Sequence, residues 1–306
     1  MRRTGFSLIE LLVTTAIAGL VGVTVMMTLR RQERFYSSAT EIMNVRSQLR
    51  DAGDVLVGDI RSANVARYGF ALMTDTAVEL FATVGTSVVC ASPSGKTLFL
   101  PPTTLASGTT LTSLLAPPDT GDLALVYATP TNDPDAARWF EYRISSFSTR
   151  SISTTCPAAT GFTSIADAAR SAYALTVPVP LDTSIHKGAP IRFVRRGRYS
   201  LYRSSDGEWY LGYRRCNALG ASSCTTIQPV SGPYQPYSKS GSAGLGFRYF
   251  DSNGIEITDA SVSSRVARVD VILRGSTSRA ASLTGDAAQR YRDSVIVSIS
   301  PRNRSR

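Results

Sequence analysis

The sequence predicts an α+β protein in which one long N-terminal helix packs on a β-rich domain. Three observations lead to this prediction. Residues 6–29 form an apolar run with a single charged residue, and residues 30–66 repeat apolar side chains every three or four positions. Residues 67–306 contain many short alternating stretches separated by Ser, Thr, Gly and Pro. We therefore expect a helix that is half apolar and half amphipathic, followed by one globular β-rich domain.

The apolar run is long enough to span a membrane. Its 24 residues would form a helix of about 36 Å. Arg2 and Arg3 precede the run, which favours a cytoplasmic N-terminus and an exported remainder, although Arg30 and Arg31 weaken that orientation. The run ends without a small-x-small cleavage site, which argues against an ordinary secretory signal peptide. A plain membrane anchor is the main alternative interpretation.

Glu10 distinguishes an assembling subunit from a plain anchor. An acidic side chain inside a membrane helix costs about 2.5–3.5 kcal/mol on insertion scales. A simple anchor gains nothing from this cost. A carboxylate near the start of a processed chain can instead pair with the free amine of a neighbouring subunit. Glu10 therefore predicts a subunit that docks into an assembly.

Residues 2–10, Arg-Arg-Thr-Gly-Phe-Ser-Leu-Ile-Glu, closely resemble the type IV prepilin signal. In that family a short basic leader ends in Gly, and Phe follows it, with Glu at the fifth mature position of an apolar helix. The resemblance implies that residues 1–5 are a leader, which prepilin peptidase removes by cutting between Gly5 and Phe6. It also implies N-methylation of Phe6 and subunit docking through Glu10.

The segment 30–66 predicts the amphipathic continuation of the same helix. It contains no proline, and its apolar side chains recur at helical spacing. The pilin resemblance implies one continuous helix from residue 6 to about residue 62. Its first part would pack against neighbouring subunits, and its second part would cover the core of its own domain. The predicted apolar face comprises Phe35, Ala39, Ile42, Val45, Leu49, Ala52, Leu56 and Ile60.

The remainder of the chain predicts β structure, with two β-sheets around the end of the helix. Long loops rich in Ser, Thr, Gly and Pro are expected at 101–121 and 229–244. The predicted strands are Ala77–Thr83, Ser87–Ala91, Thr97–Leu100, Leu123–Thr129, Trp139–Ser146, Tyr173–Val179, Ile191–Arg203, Trp209–Arg214, Leu245–Asp251, Ile255–Thr258, Val266–Leu273 and Asp293–Ser300.

A hairpin is the clearest local feature of the domain. Asn253-Gly254 lies between an aromatic-rich strand beginning at Phe247 and the short strand Ile255–Thr258, and Asn-Gly is a strong turn signal. With the later Val-Asp-Val-Ile-Leu at 269–273, this region resembles the C-terminal part of J-type pseudopilins and W-type minor pilins. The resemblance implies a pilin-like fold with a periplasmic β-rich domain.

The same resemblance implies a function and a set of partners. The protein would be a single-pass inner-membrane precursor that enters a type IV pilus and primes or caps its assembly. Its partners would be other minor and major pilins or pseudopilins, prepilin peptidase and the inner-membrane assembly platform. Two alternatives are a minor subunit of a type II secretion pseudopilus and a DNA-binding minor pilin for DNA uptake.

The four cysteines predict an oxidising compartment. They are widely spaced and lie beyond the apolar run. Four cysteines allow three pairings; we favour Cys90 with Cys156 and Cys216 with Cys224, but sequence does not decide this. A zinc site is not expected, because no CxxC pair is present and His186 is the single histidine.

The composition gives no support for an enzyme. The chain has 306 residues, and 43% of them are hydrophobic, which excludes a disordered protein. No GxSxG, HExxH or GxxxxGK[ST] motif occurs, so no catalytic residue and no cofactor are predicted. The formal net charge of +10 comes almost entirely from Arg and is best explained by genome composition, with an acidic partner as the alternative.

An arginine-rich strand carries the nucleic-acid alternative. Residues 191–203 interleave arginines with aromatic side chains, a pattern that can hold DNA through phosphate contacts and stacking. We favour an ordinary strand with a solvated arginine face. The candidate DNA contacts are Arg192, Arg195, Arg196 and Arg198.

A calcium site is the second alternative for the domain. Asp251, Asn253, Glu256 and Asp259 offer oxygen ligands at a spacing that only partly resembles an EF-hand loop. The hairpin turn already explains Asp251 and Asn253, so we do not predict a metal.

Overall fold

The computed structural model shows the α+β architecture that the sequence predicts, with a long N-terminal helix and a β-rich domain. Gly5 and Phe6 lie outside the residues that it describes. The described residues are 7–130, 133–217, 224–238, 242–277, 279–281 and 289–302.

Helix α1 (Leu8–Ser62) is continuous over 55 residues, which corresponds to about 80 Å. The sequence places its end at about residue 62, and the structure confirms that position. Ala63 turns the backbone into an extended conformation, with φ −60° and ψ 136°, so the predicted amphipathic segment to residue 66 is interrupted there. A one-turn helix, α2 (Val65–Tyr68), follows and ends at Gly69, whose φ is +61°.

The domain contains fourteen described strands, one further short helix and four short 3-10 helices. The strands are β1 (Leu72–Met73), β2 (Ala77–Val88), β3 (Thr97–Leu100), β4 (Ser113–Leu114), β5 (Leu123–Ala128), β6 (Arg138–Arg143), β7 (Ser146–Ser151), β8 (Ser171–Thr176), β9 (Pro190–Arg203), β10 (Trp209–Cys216), β11 (Gln228–Tyr234), β12 (Leu245–Phe250), β13 (Arg268–Ser276) and β14 (Arg292–Ile299). The helices are α3 (Ile152–Thr155) and the 3-10 turns Pro134–Ala136, Ala158–Thr160, Ile165–Asp167 and Ala260–Arg265.

Eleven of these strands form one antiparallel sheet. Its main path runs β1-β2-β9-β10-β11-β13-β12, with β14 pairing on the other edge of β13. Strands β5 and β6 extend the sheet beside β9, and β4 pairs with the end of β2. The long strand β9 therefore connects the part of the sheet that receives the helix with the part that carries the second sheet.

The C-terminal half of α1 packs on one face of the large sheet. On this face, the helix contacts β2, β11, β13 and β14. The helix comes close because Gly275 on β13 has no side chain; a Cβ there would lie 2.8 Å from Cγ1 of Val45. Of the predicted apolar face, Phe35 is exposed and Ala39 is half-buried, because the helix leaves the domain there. The buried positions are Ile42, Val45, Leu49, Ala52, Gly53, Leu56 and Ile60.

The second sheet has three strands in the order β3-β8-β7. Two sheets are present as predicted, but only the large sheet receives the helix. The small sheet packs on the β5–β9 region and forms a separate core in which no residue of α1 takes part. That core includes Leu98, Leu175, Ile191 and Phe193, which are all fully buried.

Several strand predictions were wrong in detail. The strand predicted at Ala77–Thr83 continues to Val88 as one strand with a bulge between Thr83 and Gly85, and the rest of the strand predicted at Ser87–Ala91 is not strand. The predicted loop 229–244 contains most of β11, which tolerates its prolines because its pairing with β10 is irregular. The predicted loop 101–121 contains the short strand β4.

The segment predicted as strand Ile255–Thr258 forms only an isolated bridge between Phe250 and Glu256. The predicted turn itself is present, because Gly254 has φ +79° and its N–H donates to the carbonyl of Asp251. Ile257 packs partly buried against the core, but Ile255 is 64% exposed, so the segment gains too little burial to extend the bridge into a ladder.

Candidate functional site: the projecting helix and the arginine strand

The start of α1 is capped by its own side chains. The backbone N–H of Ile9 donates to Oγ of Ser7 at 3.3 Å, and the backbone N–H of Ser7 donates to Oε2 of Glu10 at 3.3 Å. This capping box places a carboxylate at the positive end of the helix dipole. Glu10, predicted as the docking residue, is therefore exposed at the tip of the helix.

The first half of α1 projects from the domain. Every residue from 7 to 37 is exposed, and these residues include Leu8, Leu20 and Met27, with exposures of 84%, 70% and 59%. In the described part of the chain, α1 is the one helix long and apolar enough to cross a membrane, a test that an N-terminal signal sequence also passes. An apolar surface of this size needs a lipid or protein partner. We call residues 8–37 the projecting arm.

Polar contacts attach α1 to the domain at two points of its docked half. Arg46 on α1 donates to the carboxylate of Asp293 at 3.2 Å and to the hydroxyl of Tyr291 at 2.9 Å. Further along the helix, the hydroxyl of Tyr199 donates to Oδ2 of Asp59 at 2.6 Å. Together with the buried apolar face, these contacts join both ends of the docked half of α1 to the domain, and the helix continues unbroken into the arm.

Burial changes the pKa values of the Asp59–Tyr199 pair. Burial raises the pKa of Asp59 above its ordinary value, although the hydrogen bond from Tyr199 and the charge of Arg195 lower it in part. Burial and the neighbouring Asp59 also raise the pKa of Tyr199 well above its usual range. The tyrosine therefore remains a hydrogen-bond donor to Asp59 at neutral pH.

The arginine strand does not have the solvated arginine face that the sequence predicts. Arg196 and Arg198 on β9 both bind the fully buried carboxylate of Glu79 on β2, and Nε of Arg198 donates to Oε2 at 2.6 Å. Arg196 is only 15% exposed. Glu79 and Arg198 are directly paired across the two strands, so strand register brings the charges together.

Arg195 belongs to a second cluster. Its guanidinium binds Asp122, which is 1% exposed, at 2.7 Å and also donates to the carbonyl of Pro117 at 2.7 Å. Arg215 on β10 binds the same carboxylate at 3.0 Å. Burial lowers the pKa of Arg195, but the hydrogen bond and charge of Asp122 outweigh this effect and raise its pKa overall. Arg195 and Arg215 therefore both pair with a carboxylate inside the domain.

Arg192 completes the set of predicted DNA contacts. Its guanidinium lies 4.8 Å from the ring centroid of Trp139, in a cation–π arrangement. All four candidate arginines therefore have partners within the chain. A phosphate would have to displace buried carboxylates from three of them, which argues against the DNA-binding alternative.

The cysteines form two disulfides, in the pairing that the sequence analysis favoured. Cys90 is joined to Cys156 and Cys216 to Cys224, with Cα–Cα distances of 5.6 Å and 3.9 Å. Among the described residues, one group of three acidic or sulfur side chains lies close enough to share an ion, and it consists of Glu79, Cys216 and Cys224. The disulfide leaves this group without thiolates, so it does not fit a metal.

The candidate calcium ligands are engaged elsewhere. Oδ1 of Asp251 accepts the backbone N–H groups of Asn253 and Ile255 at 2.8 and 2.9 Å, as the turn requires. Glu256 forms an ion pair with Arg248 at 2.7 Å. Asp259 caps the following 3-10 helix by accepting from Ser261. The carboxylates do not converge on one point within the described chain.

Sequence reasoning missed the acids that organise the arginine strand. Glu79 and Asp122 were not singled out, although each interrupts or borders a strongly apolar strand, in Ala-Val-Glu-Leu-Phe and Asp-Leu-Ala-Leu-Val. An acid at a core position next to an arginine-rich strand is the signal that could have identified both ion pairs.

The chain significantly matches no protein-family model, no curated protein and no solved structure.

Proposed function

We propose that this protein is a minor pilin or pseudopilin, a structural subunit that primes or caps assembly of a type IV pilus. One observation carries the proposal. A single helix continues from the apolar arm into the domain, directly after a Gly-Phe junction and with Glu10 in its first turn. In this role the arm lies first in the inner membrane and then among the helices of the filament, while the domain stays on the periplasmic side.

Processing gives the arm its function. Prepilin peptidase cuts between Gly5 and Phe6, and the amine of Phe6 becomes methylated. Glu10 then docks against the N-terminal amine of a neighbouring subunit, which offsets the cost of placing an acid in an apolar environment. The two disulfides agree with an exported domain.

The role is structural rather than catalytic. In the acid–arginine clusters, the buried carboxylates of Glu79 and Asp122 are neutralised by arginines of the same domain. Such clusters stabilise one arrangement of the sheet. Partner surfaces are the exposed arm and the outward loops.

An in-frame deletion in the native host tests the proposal, scored in parallel for surface pili with twitching motility and for exoprotein secretion. Loss of pili with normal secretion is expected and would be restored by the wild-type chain but not by Glu10→Ala. Loss of secretion with intact pili would assign the protein to a type II secretion pseudopilus. If neither phenotype changed, the proposal would be wrong for this host.

A further inference from the structure

Strand β14 forms a free edge of the large sheet. It pairs with β13 on one side, and in the described chain no strand pairs with its other side. The N–H and the carbonyl of Arg274 on β13 both bond residues on the side away from β14, so its partner Ser294 turns its backbone groups to the free edge. Because the ladder alternates, Ile296 and Ser298 turn their backbone groups the same way.

This edge lacks the usual protection of an exposed strand. Residues 294–300 read Ser-Val-Ile-Val-Ser-Ile-Ser, with no charged residue and no proline, and Ile296 on the outer face is 67% exposed. The edge strands β6 and β7 differ, because β6 carries two arginines and a glutamate and β7 consists mostly of Ser and Thr with Arg150. Charged residues and prolines normally keep an edge from pairing with another chain. Strand β14 is therefore the edge suited to accept one.

Helix α1 runs along β14 and lies above its free edge. Arg46 binds Asp293 at the start of the strand, and the carbonyl of Arg61 accepts the N–H of Arg302 just after its end. Between these points, an ideal Cβ on Gly53 would lie 3.7 Å from a valine side chain of the strand. The helix and the strand therefore run in the same direction. A strand added to β14 would lie about 4.8 Å further out, beside the flank of α1.

The flank of α1 above that position is basic. At 3.6 residues per turn, Val57, Arg50 and Arg61 lie about 40°, 60° and 80° around the helix from Gly53, on the side away from the core. Both arginines are exposed, and neither forms an ion pair within the described chain. The nearest acid of the helix on this side is Asp54, which lies about 100° from Gly53 and so beyond both arginines.

We propose that β14 and the basic flank of α1, formed by Arg50, Val57 and Arg61, accept an extended acidic segment of another protein as an additional strand. The backbone of this segment pairs with the outward groups of Ile296 and Ser298. The two arginines are about 16 Å apart along the helix, which is the length of about five strand residues. The segment therefore carries an acid near each end of its inward face and an apolar residue between them. The inference does not rest on the proposed function, because all of these residues belong to the domain and its docked helix.

A second copy of this chain fits the edge poorly. Because α1 runs with β14, antiparallel pairing of two β14 strands would point the two apolar arms in opposite directions, and both arms could not enter one membrane. Parallel pairing would turn the outer face of the copy's strand toward α1. The exposed Arg292 of the copy would then lie beneath the basic flank, where like charges repel. An acidic segment meets neither obstacle.

Binding of a labelled peptide to the full-length chain in neutral detergent tests the inference. The probe is acetyl-Thr-Glu-Thr-Val-Thr-Glu-Thr-amide, in which alternation places both glutamates and the valine on one face of a strand. The control peptide has lysine in place of both glutamates. Fluorescence anisotropy measures the affinity, and hydrogen exchange followed by mass spectrometry measures the protection of residues 292–299.

The wild-type chain should bind the glutamate peptide about ten-fold more tightly than the lysine peptide. Binding should also protect the outward amides of β14 from exchange. Arg50→Glu combined with Arg61→Glu should reverse the preference between the peptides. Arg150→Glu combined with Arg265→Glu is the matched control, because it changes the net charge equally at exposed positions elsewhere, and it should leave the preference unchanged.

Ile296→Pro tests the backbone pairing. The N–H of Ile296 faces the free edge, so proline removes no bond to β13, and the variant should unfold cooperatively but no longer bind the peptide. If this variant does not fold, the arginine variants decide, because their substituted residues are exposed. Equal affinity for the two peptides, binding without protection of β14, or an equal effect of the matched control would overturn the inference. So would wild-type dimers that Ile296→Pro dissociates, because a second copy would then occupy the edge.

Discussion

The contact between α1 and the large sheet depends on the missing side chain at Gly275. An ideal Cβ at this position would lie 2.8 Å from Cγ1 of Val45 and 3.5 Å from Cγ of Leu49, where ordinary contacts begin at 3.4 Å. In Gly275→Ala the helix or the valine must therefore move by about 0.6 Å to restore a normal separation. Because both residues belong to a close-packed core, the strain falls on the whole docked half of α1.

The expected cost is moderate. Overpacking of a core costs about 1–3 kcal/mol, while replacing glycine by alanine lowers the entropy of the unfolded chain and returns about 0.4–1 kcal/mol. The net loss in unfolding free energy is thus about 1–2 kcal/mol. For a domain of this size, that loss lowers Tm by about 2–8 °C.

Thermal unfolding of the full-length chain in detergent, followed by circular dichroism, measures this effect. Gly246→Ala is the matched control, because its Cβ would meet Ile272 at an ordinary 3.6 Å in the same sheet. Val45→Ala combined with Gly275→Ala should lose less stability than the two single changes added together. Equal Tm values for Gly275→Ala and Gly246→Ala would refute the close-approach argument.

Three further predictions concern the domain. Glu79→Gln should destabilise the domain by about 3–5 kcal/mol in denaturant unfolding, because it leaves two half-buried arginines without their carboxylate; a loss below 1 kcal/mol would contradict this role. Replacing both cysteines of the Cys90–Cys156 disulfide by Ser should lower the free energy of unfolding by about 4 kcal/mol, and the same change at Cys216–Cys224 should lower it by about 2.5 kcal/mol, because the first disulfide closes the longer loop. A larger loss for the Cys216–Cys224 disulfide would exclude the chain-entropy explanation. Burial raises the pKa of Asp59, so the ionised form of Asp59 opposes folding above the ordinary Asp pKa of 3.8. Asp59→Asn should therefore raise Tm at neutral pH, and the difference in Tm from the wild type should disappear below pH 3.8. A difference in Tm that grew on acidification would contradict this prediction.

Periodicity predicted the helix well because its signal is local. The spacing of Ile42, Val45, Leu49, Leu56 and Ile60 places them on one face whatever they pack against, and the structure buries all five. The residue at which the helix ceases to pack on the domain was not predictable from the sequence. It depends on where β13 and β14 reach, which is a tertiary property.

The buried ion pairs of the arginine strand were not predictable from the sequence for a related reason. Arg196 and Arg198 look like a solvated or DNA-binding face because charged side chains are normally exposed. Glu79, the residue that pairs with them, is more than 100 positions earlier, and only the register of β2 against β9 brings them together. Local patterns carry no information about such non-local pairing.

The strand predicted at residues 255–258 shows the limit of turn signals. Asn253-Gly254 correctly predicts a turn, yet the pattern of the following residues does not ensure a ladder. Burial decides this: Ile257 packs against the core, but Ile255 is 64% exposed. Conversely, Pro229 and Pro233 suggested a loop, although β11 pairs irregularly with β10.

The central claim is that the chain is a processed, filament-forming subunit, and the N-terminus of the mature protein tests it most directly. The measurement is the mass of the N-terminal peptide of the full-length chain recovered from cells that contain prepilin peptidase. The account predicts a peptide that begins at Phe6 and carries one methyl group on its amine. A peptide that still begins at Met1, or one cut beyond residue 29, would contradict the account.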